Sequence, residues 1–210
     1  MISVISDVHG KFDEYLELTK QYEYTVQLGD MGFDYSSLKG LSDNHKFFGG
    51  NHDNYDKYYE CKYALGDYGY EILNDINFFY IRGAFSIDKK YRVDKVSWFK
   101  EEQLNYKQRL KAFDKYNEIK PELMVTHSCP KSIANIIGED DILIRFGFNP
   151  RTFNTQTQDL LQMCFDFHKP KIWVFGHFHK DFMLKFHGTL FICKEELGVT
   201  SISKDLEIIV

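Results

Sequence analysis

The chain has 210 residues, 43% of them hydrophobic and 27% charged, which excludes a disordered polymer and sets the scale of one domain with a sizeable core. Its formal net charge of -5 gives no support for the basic face that a non-specific nucleic-acid binder needs. Aromatic residues reach 17%, with 19 Phe and 14 Tyr, bulk that favours a thick core between packed layers.

The first predicted element is a strand over residues 2–5. No basic region precedes it and Asp7 follows it, so it does not read as a signal peptide. A helix is predicted over 12–22, where Phe12, Tyr15, Leu16 and Leu18 share one face. Short apolar runs over 24–28, 46–48 and 77–81 read as buried strands, with a weaker helical pattern over 54–65. A polar-rich helix is predicted over 101–119, ending before Pro121. A strand over 123–126, a helix over 155–168 and a strand over 172–175 follow. Residues 181–210, with runs at 190–192 and 206–210, read as consecutive strands with tight connections. Strands alternating with helices imply an α/β layered fold, and the lack of linkers or repeats implies a single domain over 1–210. No apolar stretch is long enough to span a bilayer, so no membrane partner is expected. The four cysteines, Cys61, Cys129, Cys164 and Cys193, lie far apart and read as reduced thiols of a cytoplasmic protein. Oligomeric state is left open.

Polar clusters follow five of the predicted strands: Asp7-Val8-His9-Gly10, Gly29-Asp30-Met31-Gly32, Gly49-Gly50-Asn51-His52-Asp53, Thr126-His127-Ser128 and Gly176-His177-Phe178-His179. Ligands of α/β sheets bind at the C-terminal ends of the strands, where loops converge. Imidazole nitrogen and carboxylate oxygen together suit divalent transition metals, and the absence of cysteine from the clusters argues against a structural thiolate zinc site. Singly, each cluster reads as a turn or a cap. His45, His168 and His187 lie outside the clusters and read as packed or surface residues.

The order Asp7-x-His9, Gly29-Asp30, Gly50-Asn51-His52-Asp53, His127 and Gly176-His177-x-His179 resembles the calcineurin-like metallophosphoesterase superfamily. Gly29-Asp30-Met31-Gly32-Phe33-Asp34 lacks the arginine found there in the phosphoprotein-phosphatase branch, and Asn51-His52-Asp53 stands where that branch has Asn-His-Glu. The chain is thus more similar to the generic branch. The resemblance implies a four-layer α-β-β-α sandwich of two mixed sheets with a dimetal site at one edge. It implies that Asp7, His9 and His179 ligate one metal, that Asn51, His127 and His177 ligate the other, and that Asp30 bridges them. His52 would then be a general acid, kept protonated by Asp53, which orients its imidazole, and by the charge of the substrate. The implied cofactors are two divalent ions, Mn first, with Fe or Zn as alternatives. The implied activity is hydrolysis of a phosphodiester or phosphomonoester, nucleotide-like by preference, by attack of a metal-bridging hydroxide. A protein phosphatase, a nuclease and a catalytically silent scaffold of the same fold stand as alternatives. Arg82 and Arg92 are candidate phosphate contacts, because a guanidinium presents a planar fork of donors. Trp98 and Phe99 are read as packing groups beside the 101–119 helix.

Overall fold

The computed structural model describes residues 1–138 and 140–209. One sheet contains β1 (Ile2–Ile5), β2 (Thr25–Gln27), β3 (His45–Phe47), β10 (Val199–Ile202) and β11 (Ile208–Ile209), in the order β11-β10-β1-β2-β3. The second contains β4 (Tyr68–Leu73), β5 (Ile76–Ile81), β6 (Leu123–Thr126), β7 (Ile172–Phe175), β8 (Phe182–Phe186) and β9 (Thr189–Cys193), in the order β4-β5-β6-β7-β9-β8. Both are mixed. In the first, β1, β2 and β3 run parallel and β10 pairs antiparallel with β1. In the second, β5, β6, β7 and β9 run parallel between antiparallel edge strands.

Alternation along the strands builds the layers. Successive side chains of a strand point to opposite faces. Ile172 and Val174 of β7 join Leu123 and Val125 of β6, and Ile2 and Val4 of β1, in a core between the two sheets. Trp173 and Phe175 of β7 and Met124 of β6 face the other way, into a core that includes Ala112, Tyr116, Leu161 and Phe165. Those residues belong to α3 (Tyr106–Ile119) and α6 (Gln156–Phe167). On the far side of the first sheet, Ile5, Phe47, Tyr15 and Tyr58 build a third core with α1 (Phe12–Gln21) and α2 (Tyr55–Tyr58). Three cores separate four layers, the expected α-β-β-α sandwich.

Several boundaries differ from the sequence reading. The helix expected from residue 101 begins at Tyr106, because Asn105 caps it in a reciprocal box with Gln108, and residues 100–102 form a separate 3-10 turn. The pattern over 54–65 contracts to the single turn of α2, since its later residues return along β3, where Leu65 N donates to Phe47 O. Two unanticipated short helices, α4 (Lys131–Ile137) and α5 (Asp140–Arg145), follow β6. Val210, in the last predicted strand, lies outside the described residues. No helix among the described residues is long and apolar enough to cross a membrane.

Arg82 is not a phosphate contact. It is 1% exposed, its Nε donates to Asp67 Oδ1 at 2.7 Å, and its Nη2 donates to Tyr59 Oη at 2.8 Å. The guanidinium also lies 4.4 Å from the centroid of the Tyr55 ring. Every face of the group is taken by protein, so none is presented to a ligand. Removing the buried guanidinium leaves the half-buried Asp67 and the Glu101 carbonyl without their donor. Arg82→Met is therefore expected to lower the unfolding free energy by about 3 kcal/mol, read from the urea midpoint. A loss under about 1 kcal/mol would show that the arginine does not hold this layer together.

Candidate active site

The loops after β1, β2 and β3 of one sheet and after β6 and β7 of the other meet along one edge of the sandwich. Backbone bonds lace them together: Val8 N and His9 N donate to Asp30 O, Gly176 N donates to His127 O, and Gly83 N donates to Gly49 O. Four of the side-chain donors sit on strained backbone. His9, Asp30, His177 and His179 have φ of 50°, 56°, 69° and 50°, the left-handed region that non-glycine residues rarely occupy. Glycines make room for the side chains. A Cβ on Gly50 would lie 2.2 Å from Asp30 Oδ1 and 2.7 Å from His127 Nε2, and one on Gly176 would lie 2.3 Å from Asp7 Oδ2.

Asp7, His9, Asp30 and His179 each place one donor atom within 4.8 Å of the others. His9 Nε2 and His179 Nε2 are 3.1 Å apart, and His9 Nε2 is 3.6 Å from Asp30 Oδ2. Donors about 2.1 Å from a shared ion stand at such separations from one another. The other oxygen of the same carboxylate, Asp30 Oδ1, is 3.2 Å from His127 Nε2, which is also 3.0 Å from Asn51 Oδ1. The His177 ring packs edge-on against His127, with centroids 5.1 Å apart. His127 Nδ1 is held 2.8 Å from Leu28 O, which aims Nε2 at Asp30 and Asn51.

The electrostatics call for cations. Burial opposes charge on His127, but Asp30 beside it, with Asp7 and the Leu28 carbonyl, outweighs burial and raises its pKa to about 9. Burial acts on Asp30 too, yet His127, His52 and His9 hold its carboxyl well below the usual range. His177 is driven down by burial and by neighbouring His127. A proton on His127 stands where a metal ion would place positive charge. The donor set of imidazoles, carboxylates and one amide oxygen therefore fits divalent ions in both halves of the site.

His52 lies beside these groups. Its ring is 4.9 Å from that of His9, and its backbone N donates to Asp30 Oδ1 at 2.7 Å. The expectation that Asp53 orients this imidazole and keeps it protonated is corrected. Asp53 is fully buried and its carboxylate accepts from the backbone N of Asp30, Gly32 and Gly50 and from Tyr35 Oη, at 2.8, 3.1, 2.6 and 3.0 Å. Burial and the nearby Asp30 charge push its pKa up to about 6, against the pull of the Gly50 and Gly32 bonds. Asp53 is a tie between loops. The group on His52 is instead Arg92, whose Nη2 lies 2.9 Å from Nδ1 and also meets Nε2. Burial lowers His52 to about 4; the Arg92 guanidinium adds to the shift, and Asp30 opposes it. Arg92 is anchored by Asp88 Oδ1 at 2.8 Å and by Asn51 O at 3.1 Å. Of the two candidate arginines, the structure brings only Arg92 to the site.

A cavity of about 500 Å3 opens beside Asp30, Asn51, His52, His177 and His179. Asp141, Ile142 and Arg145 of α5 form one wall of its lining, which also includes Phe146, Phe85, Phe178 and Lys180. The sequence reading passed over this wall, which has no motif of its own. It gave no individual role to Ser86 and Glu102, which lie buried behind Asn51. Of the histidines read as bystanders, His45 bonds Thr25 Oγ1 and His168 bonds the Pro121 carbonyl, both away from the centre.

A family model described as Calcineurin-like phosphoesterase matches residues 1–181. The chain belongs to the calcineurin-like phosphoesterase family. Residues beyond the match complete the sheets of this phosphoesterase fold: β8 and β9 extend one, and β10 and β11 extend the other. A Staphylococcus aureus chain assigned as a 5′-nucleotidase, solved with alpha-ketoglutarate, is similar over 99% of this chain and 52% of its own, at 14% identity and TM-score 0.52. The present chain thus spans about half the length of that one. The phosphopantetheinyl hydrolase of Mycobacterium tuberculosis is similar over 93% of this chain and 89% of its own, at 11% identity and TM-score 0.54. At these identities the likeness is one of fold. Among curated proteins no match is found.

The crowding at Gly50 gives a direct test of the geometry. Gly50→Ala is expected to weaken Mn²⁺ binding by roughly 10–100-fold, measured by titration calorimetry of metal-free protein. Wild-type affinity would mean that the loop moves aside without disturbing Asp30 or His127.

Proposed function

We propose that the chain hydrolyses a small phosphate ester with two divalent ions, one held by Asp7, His9 and His179, the other by Asn51, His127 and His177, with Asp30 shared. The observation that carries this reading is the position of Asp30, one carboxylate oxygen toward His9 and the other toward His127. Bound ions would supply an activated nucleophile and stabilise the charge that grows on the phosphoryl oxygens. Manganese is the first choice, with iron and zinc as alternatives of similar donor preference.

The protein's own groups do the rest. Arg92 contributes a guanidinium that can turn from His52 to a phosphoryl oxygen. Its present contact requires an unprotonated nitrogen on His52, since a guanidinium only donates. When the anionic substrate takes Arg92, His52 loses a positive neighbour and gains a negative one, and both changes favour its protonated form. It then delivers that proton to the leaving oxygen. Asp53 keeps the Asp30 and Asn51 loops in register beneath these events.

The cavity favours a small ester with a flat apolar body. Phe85, Phe146 and Phe178 offer aromatic faces, and Arg145 and Lys180 offer positive charge to a further anionic group. A nucleotide has both features. Asp141, Ile142 and Arg145 of α5 wall part of this cavity, so an extended nucleic-acid or protein substrate fits less well. The fold is proposed to work as one domain over 1–210, because the central core takes residues from both sheets.

The test is a turnover panel with added Mn²⁺: bis-p-nitrophenyl phosphate, p-nitrophenyl phosphate, 2′,3′- and 3′,5′-cyclic nucleotides, and a phosphopeptide. Turnover of a nucleotide ester above the phosphopeptide is expected. Metal-loaded protein inert toward every ester would return the chain to the scaffold reading. His52→Ala is expected to retain metal and lose about 10²–10⁴-fold in turnover of esters with poor leaving groups, with a smaller loss on p-nitrophenyl esters. Unchanged rates would remove His52 from the acid role. Asp30→Ala is expected to lose both ions, and metal analysis finding two full equivalents would contradict its shared position.

A further inference from the structure

An asparagine amide has two chemically opposite ends, and only its oxygen can ligate a cation. Which end of Asn51 faces the site is decided behind it. Asn51 Nδ2 donates to Ser86 Oγ at 3.2 Å, while Asn51 Oδ1 lies 3.0 Å from His127 Nε2. Ser86 Oγ in turn donates to Glu102 Oε2 at 2.6 Å, and Ser86 N donates to Glu102 Oε1 at 3.2 Å. Asn51, Ser86 and Glu102 are 5%, 1% and 2% exposed, so water does not intervene freely. A hydroxyl carries one proton. With that proton committed to the acceptor-only Glu102 carboxylate, Ser86 Oγ can only accept from Asn51. The amide NH₂ must therefore face Ser86, and the oxygen must face the site.

The backbone holds the relay in place. The loop after β5 that carries Ser86 is bonded to the Asn51 loop through Gly83 N and Gly49 O at 2.8 Å. The same Gly83 packs so closely on the Glu102 carbonyl that a Cβ there would lie 2.1 Å from it. Glu102, Ser86 and Asn51 thus sit on three segments fixed against one another.

We infer that Glu102 is a positioning residue of the metal centre: through Ser86 it sets the polarity of the Asn51 amide and hence the affinity of the Asn51–His127–His177 half. This rests on the proposed role of Asn51 as a ligand. A role in packing alone predicts that any side chain of the same shape serves. A role in polarity predicts that Glu102→Gln, equal in shape, does not. In that variant the Gln oxygen is claimed by Ser86 N, because a buried backbone N–H needs an acceptor. The Gln NH₂ then donates to Ser86 Oγ, the hydroxyl proton swings toward Asn51, and the amide is driven to turn its oxygen away from the ion.

The experiment is calorimetric titration of metal-free protein with Mn²⁺, together with a thermal melt. Wild type is expected to fill two sites. Glu102→Gln is expected to weaken one site by roughly 10–100-fold, to leave the other unchanged, and to melt within about 4 °C of wild type. Adding Ser86→Ala removes the misdirected hydroxyl and is expected to restore part of the lost affinity. Two wild-type sites in Glu102→Gln, equal weakening of both sites, or no recovery with Ser86→Ala would each overturn the inference. Asn51→Ala separates this from the reading beneath it. If Asn51→Ala keeps both sites, the ligand assignment fails. If it loses one while Glu102→Gln loses none, only the role of Glu102 fails.

Discussion

The site depends on one buried carboxylate that never reaches it. Asp53 accepts three backbone N–H groups and a tyrosine hydroxyl, from the loops after β2 and β3. Buried N–H groups without partners cost about 1–3 kcal/mol each, so the loops are pinned where these donors converge. Asp30 and Asn51 inherit their positions from that convergence. Beneath it, Tyr55 donates to Gly50 O at 2.7 Å, and Arg82 lies over the Tyr55 ring. Arg82 thus contributes to the site through a chain of contacts with no ligand among them.

Each half of the proposed centre draws on both sheets. Asp7, His9, Asp30 and Asn51 come from loops of one sheet, and His127, His177 and His179 come from loops of the other. Neither sheet alone gathers the donors. Their packing through Val4, Val125 and Val174 is therefore what brings these nitrogen and oxygen donors together. The hydrophobic alternation of the strands and the chemistry of the edge are two results of the same register.

Much of this was legible in the sequence, for a physical reason. A buried parallel strand is a short apolar run, and the polar residues that follow it fall at the sheet edge. Asp7, Asp30, Asn51, His127 and His177 each follow such a run. What was not legible depends on burial and on partners. Arg82 and Arg92 look alike in one dimension, yet one is enclosed by Asp67, Tyr55 and Tyr59 and the other leans on His52. The resemblance implied that Asp53 orients His52, a partnership the loop geometry does not form. Glu102, in a Lys-Glu-Glu run, has the composition of a solvated face, and only the return of the chain past β5 buries it. The wall made by α5 and Phe146 carries no periodic signal because its helices span only a turn or two.

The left-handed backbone of His9, Asp30, His177 and His179 sets durability against chemistry. Each such residue carries roughly 1–2 kcal/mol of steric strain that glycine would not. A glycine at any of the four would relax the chain and delete a donor in the same stroke. Screens that reward heat tolerance alone would thus drift toward sturdier, inert variants by erasing this edge first.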